Sequence, residues 1–332
     1  MVNIAILGFG TVGSGVAEVL TRNGGLIDGR VNNQVRLKYI MRARDIFEGP
    51  YKDLFVKDFS IIERDPEVSI VVETIGGVGA ALDYTTRALK AGKSVVTANK
   101  ELVATHGYEL LQLAKEYGVS YLFEASVGGG IPILRPLNAC LAANEVDQVT
   151  GILNGTTNYI LTRMIKAGLT FDQALKEAQA NGYAEQDPTA DVDGHDACRK
   201  TCILAALSFG QHIYPDQVPT QGIRGVSLAD VAYADSCGYK IKLLGRAIRE
   251  PEGKVCAFVA PHLVSCENPL AGVEDVFNAI SVTGNAVGDV MFYGRGAGKL
   301  PTASAVVADI MDIVKSKGNK KPLSWGPGGE DT

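Results

Sequence analysis

The sequence predicts an α/β protein in two parts, a doubly wound parallel sheet followed by an α+β domain. Three observations carry this. Short apolar runs alternate with helical stretches over the first 130 residues. A glycine-patterned turn, Gly8-Phe9-Gly10-Thr11-Val12-Gly13, directly follows the first of those runs. Beyond Ser126-Val127-Gly128-Gly129-Gly130-Ile131-Pro132 the order changes, with helices grouped first and strands grouped later. Alternation implies parallel strands joined by crossover helices, whereas segregation implies α+β.

Val2–Leu7 is continuously apolar and ends in glycines, as a strand buried on both faces does. Thr11–Thr21 reads as a helix, and Asn23–Asn33, rich in Gly and Asn, as a loop. Further strands are expected at Val35–Met41, Ile70–Glu73, Ser94–Thr97 and Val119–Phe123, with helices at Leu82–Lys90 and Leu102–Tyr117. In the second part helices are expected near 133–143, 156–167, 171–180 and 194–209. Strands follow near 238–248, 254–261, 277–282 and 288–293. Lys299–Lys317 is a last amphipathic helix, expected to pack back on the first domain. The expected domains are therefore 1–130, binding a dinucleotide, and 131–298, binding substrate and forming a dimer. The Lys, Gly and Pro-rich stretch 318–332 is expected to fray.

At 332 residues, 46% hydrophobic and 21% charged, the chain can bury ordinary globular cores without disulfides or a structural metal. A formal charge of -5 argues against nucleic acid or an anionic membrane as partner. No apolar run approaches the roughly 20 residues that span a bilayer. The first residues enter a strand-like run with no basic leader, so no export signal is expected and the cytoplasm is the default location. The six cysteines form no C-x-x-C pair. Cys198 and Cys202 are expected to be buried small residues rather than metal ligands.

The glycine pattern gains meaning from its setting between a buried strand and a helix start. Gly8 permits the turn, Gly10 lets backbone approach a pyrophosphate, and Gly13 lets helix pack on strand, as in Rossmann-type domains. The helix start offers free N–H groups and a positive dipole end to the anion. After the second strand an NAD enzyme would place an acid for the ribose hydroxyls; here stands Met41-Arg42-Ala43-Arg44. An arginine fits a 2′-phosphate, so NADP is favoured, with NAD still open.

Ligands bind beyond the C-terminal strand ends of such sheets. Glu73-Thr74-Ile75-Gly76-Gly77 and Thr97-Ala98-Asn99-Lys100 lie there, which aims Lys100 at the cofactor crevice unless it is merely solvated at a helix start. The densest cluster runs from Gly182 to Lys200 and holds five carboxylates between Glu185 and Asp196. Asp193 is expected as an N-cap and Asp196 as a first-turn acid. From Thr201 to Phe209 the helix has no charged residue, so Lys200 stands where it enters the interior. Asp196 lies four residues earlier on the same face. An ammonium held beside a carboxylate suits proton transfer to an alkoxide. A surface i,i+4 pair is the plainer alternative.

These segments, with Glu124–Pro132, Leu153-Asn154-Gly155-Thr156-Thr157-Asn158-Tyr159 and Gly294-Arg295-Gly296-Ala297-Gly298, resemble the homoserine dehydrogenase family in order and spacing. The resemblance spans about residues 2 to 315, and Gly182–Lys200 is its most specific stretch. It implies reversible NAD(P)-dependent interconversion of L-aspartate 4-semialdehyde and L-homoserine, on the route to threonine and methionine. It implies that Lys200 is the proton donor, that Asp196 orients Lys200 and the substrate hydroxyl, and that Glu185, Tyr183 and Asp191 bind substrate. Lys100 would stand by the reacting oxygen and cofactor, and Gly182, Gly296 and Gly298 would touch the cofactor.

The resemblance also implies a monovalent cation such as sodium on Glu124 and the carbonyls of Val127, Gly129 and Ile131, where residues alone read equally as a Gly-rich hinge. A homodimer is implied too. Two departures stand out. The chain ends too soon for the ACT domain of many bacterial relatives, so threonine feedback through one is not expected. His195 replaces a usually apolar residue and is expected to be tolerated rather than catalytic. Two other readings are a dehydrogenase for a related small amino acid and a non-catalytic NADP sensor. Lys100, Asp196 and Lys200 together speak against the sensor, because binding alone needs none of them.

Overall fold

The computed structural model describes residues 1–42, 49–316 and 323–329. The chain divides into two compact units, 1–130 with 298–325 and 131–297 with 326–332. In the first, β1 (Val2–Leu7), α1 (Thr11–Arg22), α2 (Gly24–Val31), β2 (Val35–Met41), β3 (Phe55–Val56) and α3 (Phe59–Arg64) form one half. The other half is β4 (Val68–Glu73), α4 (Gly79–Lys90), β5 (Ser94–Thr97), α5 (Lys100–Glu116) and β6 (Tyr121–Leu122). The strand order β3-β2-β1-β4-β5-β6, parallel throughout, is that of a Rossmann-type sheet. Strand order reverses between β1 and β4, which opens a crevice beyond Leu7 and Glu73.

The second unit contains β7 (Val146–Ile152), α6 (Gly155–Ala167), α7 (Phe171–Ala180), α8 (Thr189–Val192), α9 (His195–Phe209) and α10 (Leu228–Ser236). Then come β8 (Tyr239–Arg249), β9 (Val255–Ser265), β10 (Phe277–Gly284) and β11 (Gly288–Arg295). These five strands make an antiparallel sheet ordered β11-β10-β7-β8-β9, with α6, α9 and α10 packed on it. Gly245 on β8 matters here: a Cβ there would overlap the Thr201 hydroxyl, so its absence lets α9 press close to the sheet.

The last helix, α11 (Lys299–Ser316), returns to the first unit. Ala303, Val306, Val307, Ile310 and Val314 share a core with Val16, Ala17 and Leu20 of α1. Gly15 permits the approach, since a Cβ there would stand 2.8 Å from the Lys299 carbonyl oxygen.

Several expectations are corrected. Asn23–Asn33 is mostly the helix α2, because Ile27 and Val31, one turn apart, reach the core and override the glycines. β7 was not expected, yet it is the middle strand of its sheet, so helices and strands are less segregated than the pattern suggests. The stretch near 133–143 is a short wide turn of helix at Pro136–Cys140 rather than three regular turns. Asp193 does not cap α9; Gly194 does so at φ 86°, and Asp193 instead pairs with Arg224 at 2.5 Å. Within the stretch expected to fray, 323–329 is anchored. Trp325 is buried against Gly107 and meets the Phe123 ring edge-on at 5.6 Å. Gly326 exchanges backbone hydrogen bonds with Gly210 and His212. Residues 317–322 and 330–332 lie outside the described residues.

Candidate active site

The phosphate loop has the geometry its glycines require. Gly8 has φ +93°, a left-handed value, and a Cβ there would meet the Thr74 carbonyl oxygen at 2.8 Å. At Gly13 a Cβ would overlap the Gly8 carbonyl, so helix and loop touch backbone to backbone. Gly10 differs: a Cβ there would meet nothing within 4 Å, so this glycine faces open space. It precedes Thr11, Val12 and the rest of α1 without a side-chain cap, which leaves the helix start available to an anion. Phe9 packs edge-on against Tyr51 and Phe55. Arg42 is half-buried at the end of β2, where its N–H donates to the Val56 carbonyl. Ala43 and Arg44 lie outside the described residues. The open Gly10 and the uncapped helix start fit a dinucleotide pyrophosphate.

Thr74 locks the loop from the other side of the crevice. Its hydroxyl donates to the Leu7 carbonyl at 2.9 Å and its N–H to the same oxygen. Behind it stands Glu73, wholly buried, which sequence reasoning placed in the crevice but gave no role. Its Oε1 accepts the Ile75 N–H at 2.7 Å and its Oε2 the Thr97 hydroxyl at 2.6 Å. The Asn99 N–H donates to Thr97 Oγ1, and Asn99 Nδ2 donates to the Gly77 carbonyl at 2.6 Å. The loops after β4 and β5 are thereby stitched around one carboxylate. Asn99 also caps α5, accepting the Leu102 N–H, and so delivers Lys100 at the first helical position. Glu124 is buried, with its N–H donating to Asp309 on α11 at 2.8 Å. Val127 and Gly129 follow in the same unit, both buried, with Gly128 and Gly129 at φ +73° and +53°. A buried carboxylate beside carbonyl-rich glycine backbone is a donor set of the kind a hard monovalent cation takes. Ile131, buried, belongs to the second unit.

In the second unit the predicted contact between Lys200 and Asp196 is formed. Lys200 Nζ donates to Asp196 Oδ2 at 2.6 Å and to the Leu153 carbonyl at 2.8 Å. The two side chains are 10% and 6% exposed, which rules out the surface-pair alternative. In such a setting desolvation makes each charge depend on the other. In the sequence Asn154 shows only as a member of the Leu153–Tyr159 motif, with no sign of the contacts it makes. It caps α6 through Oδ1, and its Nδ2 donates to Asp191 Oδ1 at 2.7 Å and to Asp196 Oδ2 at 2.9 Å. An Asn before a Gly-Thr-Thr run signals a cap; nothing in the spacing signals contact with acids some 40 residues away.

Other predicted residues lie more openly. Tyr183 is 44% exposed, with its ring 4.9 Å from that of Tyr159 and its carbonyl accepting the Thr156 hydroxyl. Glu185 is exposed, held at its carbonyl by the Gln179 amide at 3.0 Å. Gly182 has φ +74° and faces open space. Gly296 has a packing reason, because a Cβ there would overlap Asn278. Gly298, at φ +124°, belongs to the first unit. His195 is exposed, while Cys198 and Cys202 are buried as expected.

Comparison with known proteins agrees with both halves of this arrangement. Residues 8–124 match the homoserine dehydrogenase NAD binding domain, and residues 132–311 match homoserine dehydrogenase. A homoserine dehydrogenase of Synechocystis sp. is 45% identical over 94% of this chain and 73% of its own length. The crystal structure of a homoserine dehydrogenase from Thiobacillus denitrificans superposes with a TM-score of 0.91 at 41% identity, over 96% of this chain and 74% of that one. A hyperthermophilic archaeal homoserine dehydrogenase in complex with NADPH has a TM-score of 0.79 at 29% identity, over 97% of this chain and 99% of that one. With a Rossmann-type crevice in one unit, a buried lysine–aspartate pair in the other and matches spanning both, the chain belongs to the homoserine dehydrogenase family of NAD(P)-dependent oxidoreductases.

Proposed function

We propose that the chain interconverts L-aspartate 4-semialdehyde and L-homoserine on the route to threonine and methionine, with NADP favoured over NAD. The observation that carries this is the buried Lys200–Asp196 pair, gripped by Leu153 and Asn154. A bound nicotinamide supplies or accepts the hydride. Lys200 gives its proton to the carbonyl oxygen in the reducing direction and takes it back in the oxidising one. Asp196 keeps the ammonium in place and orients the hydroxyl. Glu185 and Asp191, with Tyr183, take the substrate's ammonium group, and Lys100 stands at the reacting oxygen and cofactor. Gly8 to Gly13, Thr74, Gly182, Gly296 and Gly298 line the cofactor, and Arg42 reads its 2′-phosphate. NADPH in an archaeal relative supports the cofactor choice. The test is NADP reduction with L-homoserine, repeated with Lys200→Ala. No turnover with homoserine, or full turnover in the variant, overturns the reading.

Three further readings belong with it. A monovalent cation such as sodium sits on Glu124 and the carbonyls of Val127, Gly129 and Ile131, supported by the burial of that carboxylate. Replacing sodium by a bulky organic cation at constant ionic strength tests it, and unchanged stability and turnover would remove it. The chain forms a homodimer through its second unit, where Tyr233, Leu263 and Tyr293 are 68%, 55% and 54% exposed. Sedimentation as a monomer at micromolar concentration would contradict that. A cytoplasmic location accords with the six free cysteines, which suit a reducing compartment.

A further inference from the structure

We propose that Asn154 is a positioning residue for the reaction, tying the substrate-side carboxylate Asp191 to the Asp196–Lys200 proton-transfer pair. This rests on the reading of Lys200 and Asp196 given above. The side chain is 5% exposed and divides its work between its two ends. Oδ1 accepts the Thr157 N–H at 2.8 Å and the Thr157 hydroxyl at 3.0 Å, which caps α6. Nδ2 faces the two carboxylates at 2.7 and 2.9 Å. Only this orientation works. With the amide turned over, an oxygen would face two carboxylates and an NH2 group would face the Thr157 N–H.

An amide NH2 has two hydrogens, and each acid takes one. Two carboxylates that share one small group repel, and without compensation one of them would take up a proton. The Asn154 amide favours the ionised form of both, together with the Lys200 ammonium on Asp196, while adding no charge of its own. The consequence falls on Lys200, because Asp196 Oδ2 receives both the Asn154 amide and the Lys200 ammonium. A proton on Asp196 would remove the partner that holds this ammonium. The preceding residue acts in the same sense: the Leu153 carbonyl accepts a second Lys200 N–H at 2.8 Å. Residues 153 and 154, immediately beyond β7, therefore fix acid and base together. Through Asp191 they also connect that pair to the carboxylate assigned to substrate.

The division between the two ends of the side chain supplies the experiment. Asn154→Asp keeps a capping oxygen for Thr157, removes the two donors and sets a third carboxyl group against Asp191 and Asp196. Asn154→Ser keeps a cap and cannot reach both acids. Turnover of L-homoserine with NADP is measured for both across about pH 6 to 9, where carboxyl groups raised by like-charge neighbours titrate. Asn154→Asp is expected to lose about tenfold or more in kcat at the alkaline end. The loss shrinks toward acid, where a protonated carboxyl at 154 again offers a donor. Asn154→Ser is expected to lose activity at every pH. Wild-type turnover and pH profile in Asn154→Asp overturn the proposal. So does a loss that is the same at every pH and tracks the melting temperature, because that is the signature of the cap alone. Lys200→Ala, run alongside, separates the two readings. Full activity there removes the assignment of Lys200, whereas an inactive Lys200→Ala with a wild-type Asn154→Asp removes only the role of Asn154.

Discussion

Lys200 and Asp196 share a hydrogen bond of 2.6 Å one helical turn apart, with 10% and 6% of their side chains exposed. Burial makes the pair interdependent, since either charge left alone would be desolvated without compensation. Asp196→Asn is therefore expected to act twice. Turnover of homoserine falls by about 10² or more, as when a positioned acid–base group is lost. Stability also falls, by about 3 kcal/mol or more, because a buried ammonium loses its counter-charge. Steady-state kinetics and urea unfolding of the same preparation check both. A variant that loses activity but no stability would mean the lysine finds another partner.

Gly10 and Gly13 serve one loop but differ in what surrounds them, and Ala substitution separates the two. Gly10→Ala meets open space, so stability changes by about 0.5 kcal/mol or less while the NADP Kd rises. Gly13→Ala drives a methyl group onto the Gly8 carbonyl and costs about 1–3 kcal/mol. Thermal melts with and without NADP distinguish them. Equal destabilisation by both would contradict the geometry.

Arg42 directly follows β2, the place from which an open sheet of this kind reads the adenosine ribose. Arg42→Ala is expected to lower kcat/KM for NADP about tenfold, one charge-assisted contact to phosphate, and to leave NAD within about a factor of two. An unchanged NADP-to-NAD ratio would remove this arginine from the ribose site.

Lys242 is 1% exposed on β8, donating to the Val273 carbonyl and to Asn158 Oδ1. Burial, reinforced by the neighbouring Lys240 charge, lowers its ammonium from 10.5 to about 8. The unfolded chain thus binds more protons than the folded one between those values, and stability rises with pH across that window. Below about pH 8 the charged lysine costs the fold about 3 kcal/mol. Lys242→Met is expected to be more stable than the parent near neutrality, by about 1–2 kcal/mol after its lost hydrogen bonds, and to lose that advantage by about pH 10. Urea unfolding at both pH values decides it, and an advantage that does not change with pH would refute the cause given.

How far the sequence could be read depended on the range of the interaction involved. The parallel sheet and its crevice were legible because five of its six strands carry an apolar run and two of them, β1 and β4, end in glycine turns, whereas the two-residue β3 was missed. Lys200 and Asp196 were legible for the same reason, being four residues apart on one helix. α2 was missed because its glycines mask a helix that only the shared core of α1, β2 and the distant α11 reveals, through Ile27 and Val31. β7 was missed because its polar residues, Asp147, Gln148 and Thr150, interrupt the apolar pattern of a central strand. Asn154 and Glu73 escaped because a buried polar group declares itself by its partners. Those partners are 37 and 42 residues away for the one and 24 for the other.

The seating of α11 on Gly15 sets an order for synthesis. Six buried residues of the first unit's core, from Ala303 to Val314, leave the ribosome only after residues 131–297 of the second unit. At 5–20 residues per second, that is a delay of roughly 10–35 s after residue 130. Throughout it, the apolar face of the nucleotide-binding helix has no permanent cover. The nascent N-terminal half is thus the segment most in need of a chaperone while residues 131–297 are being made.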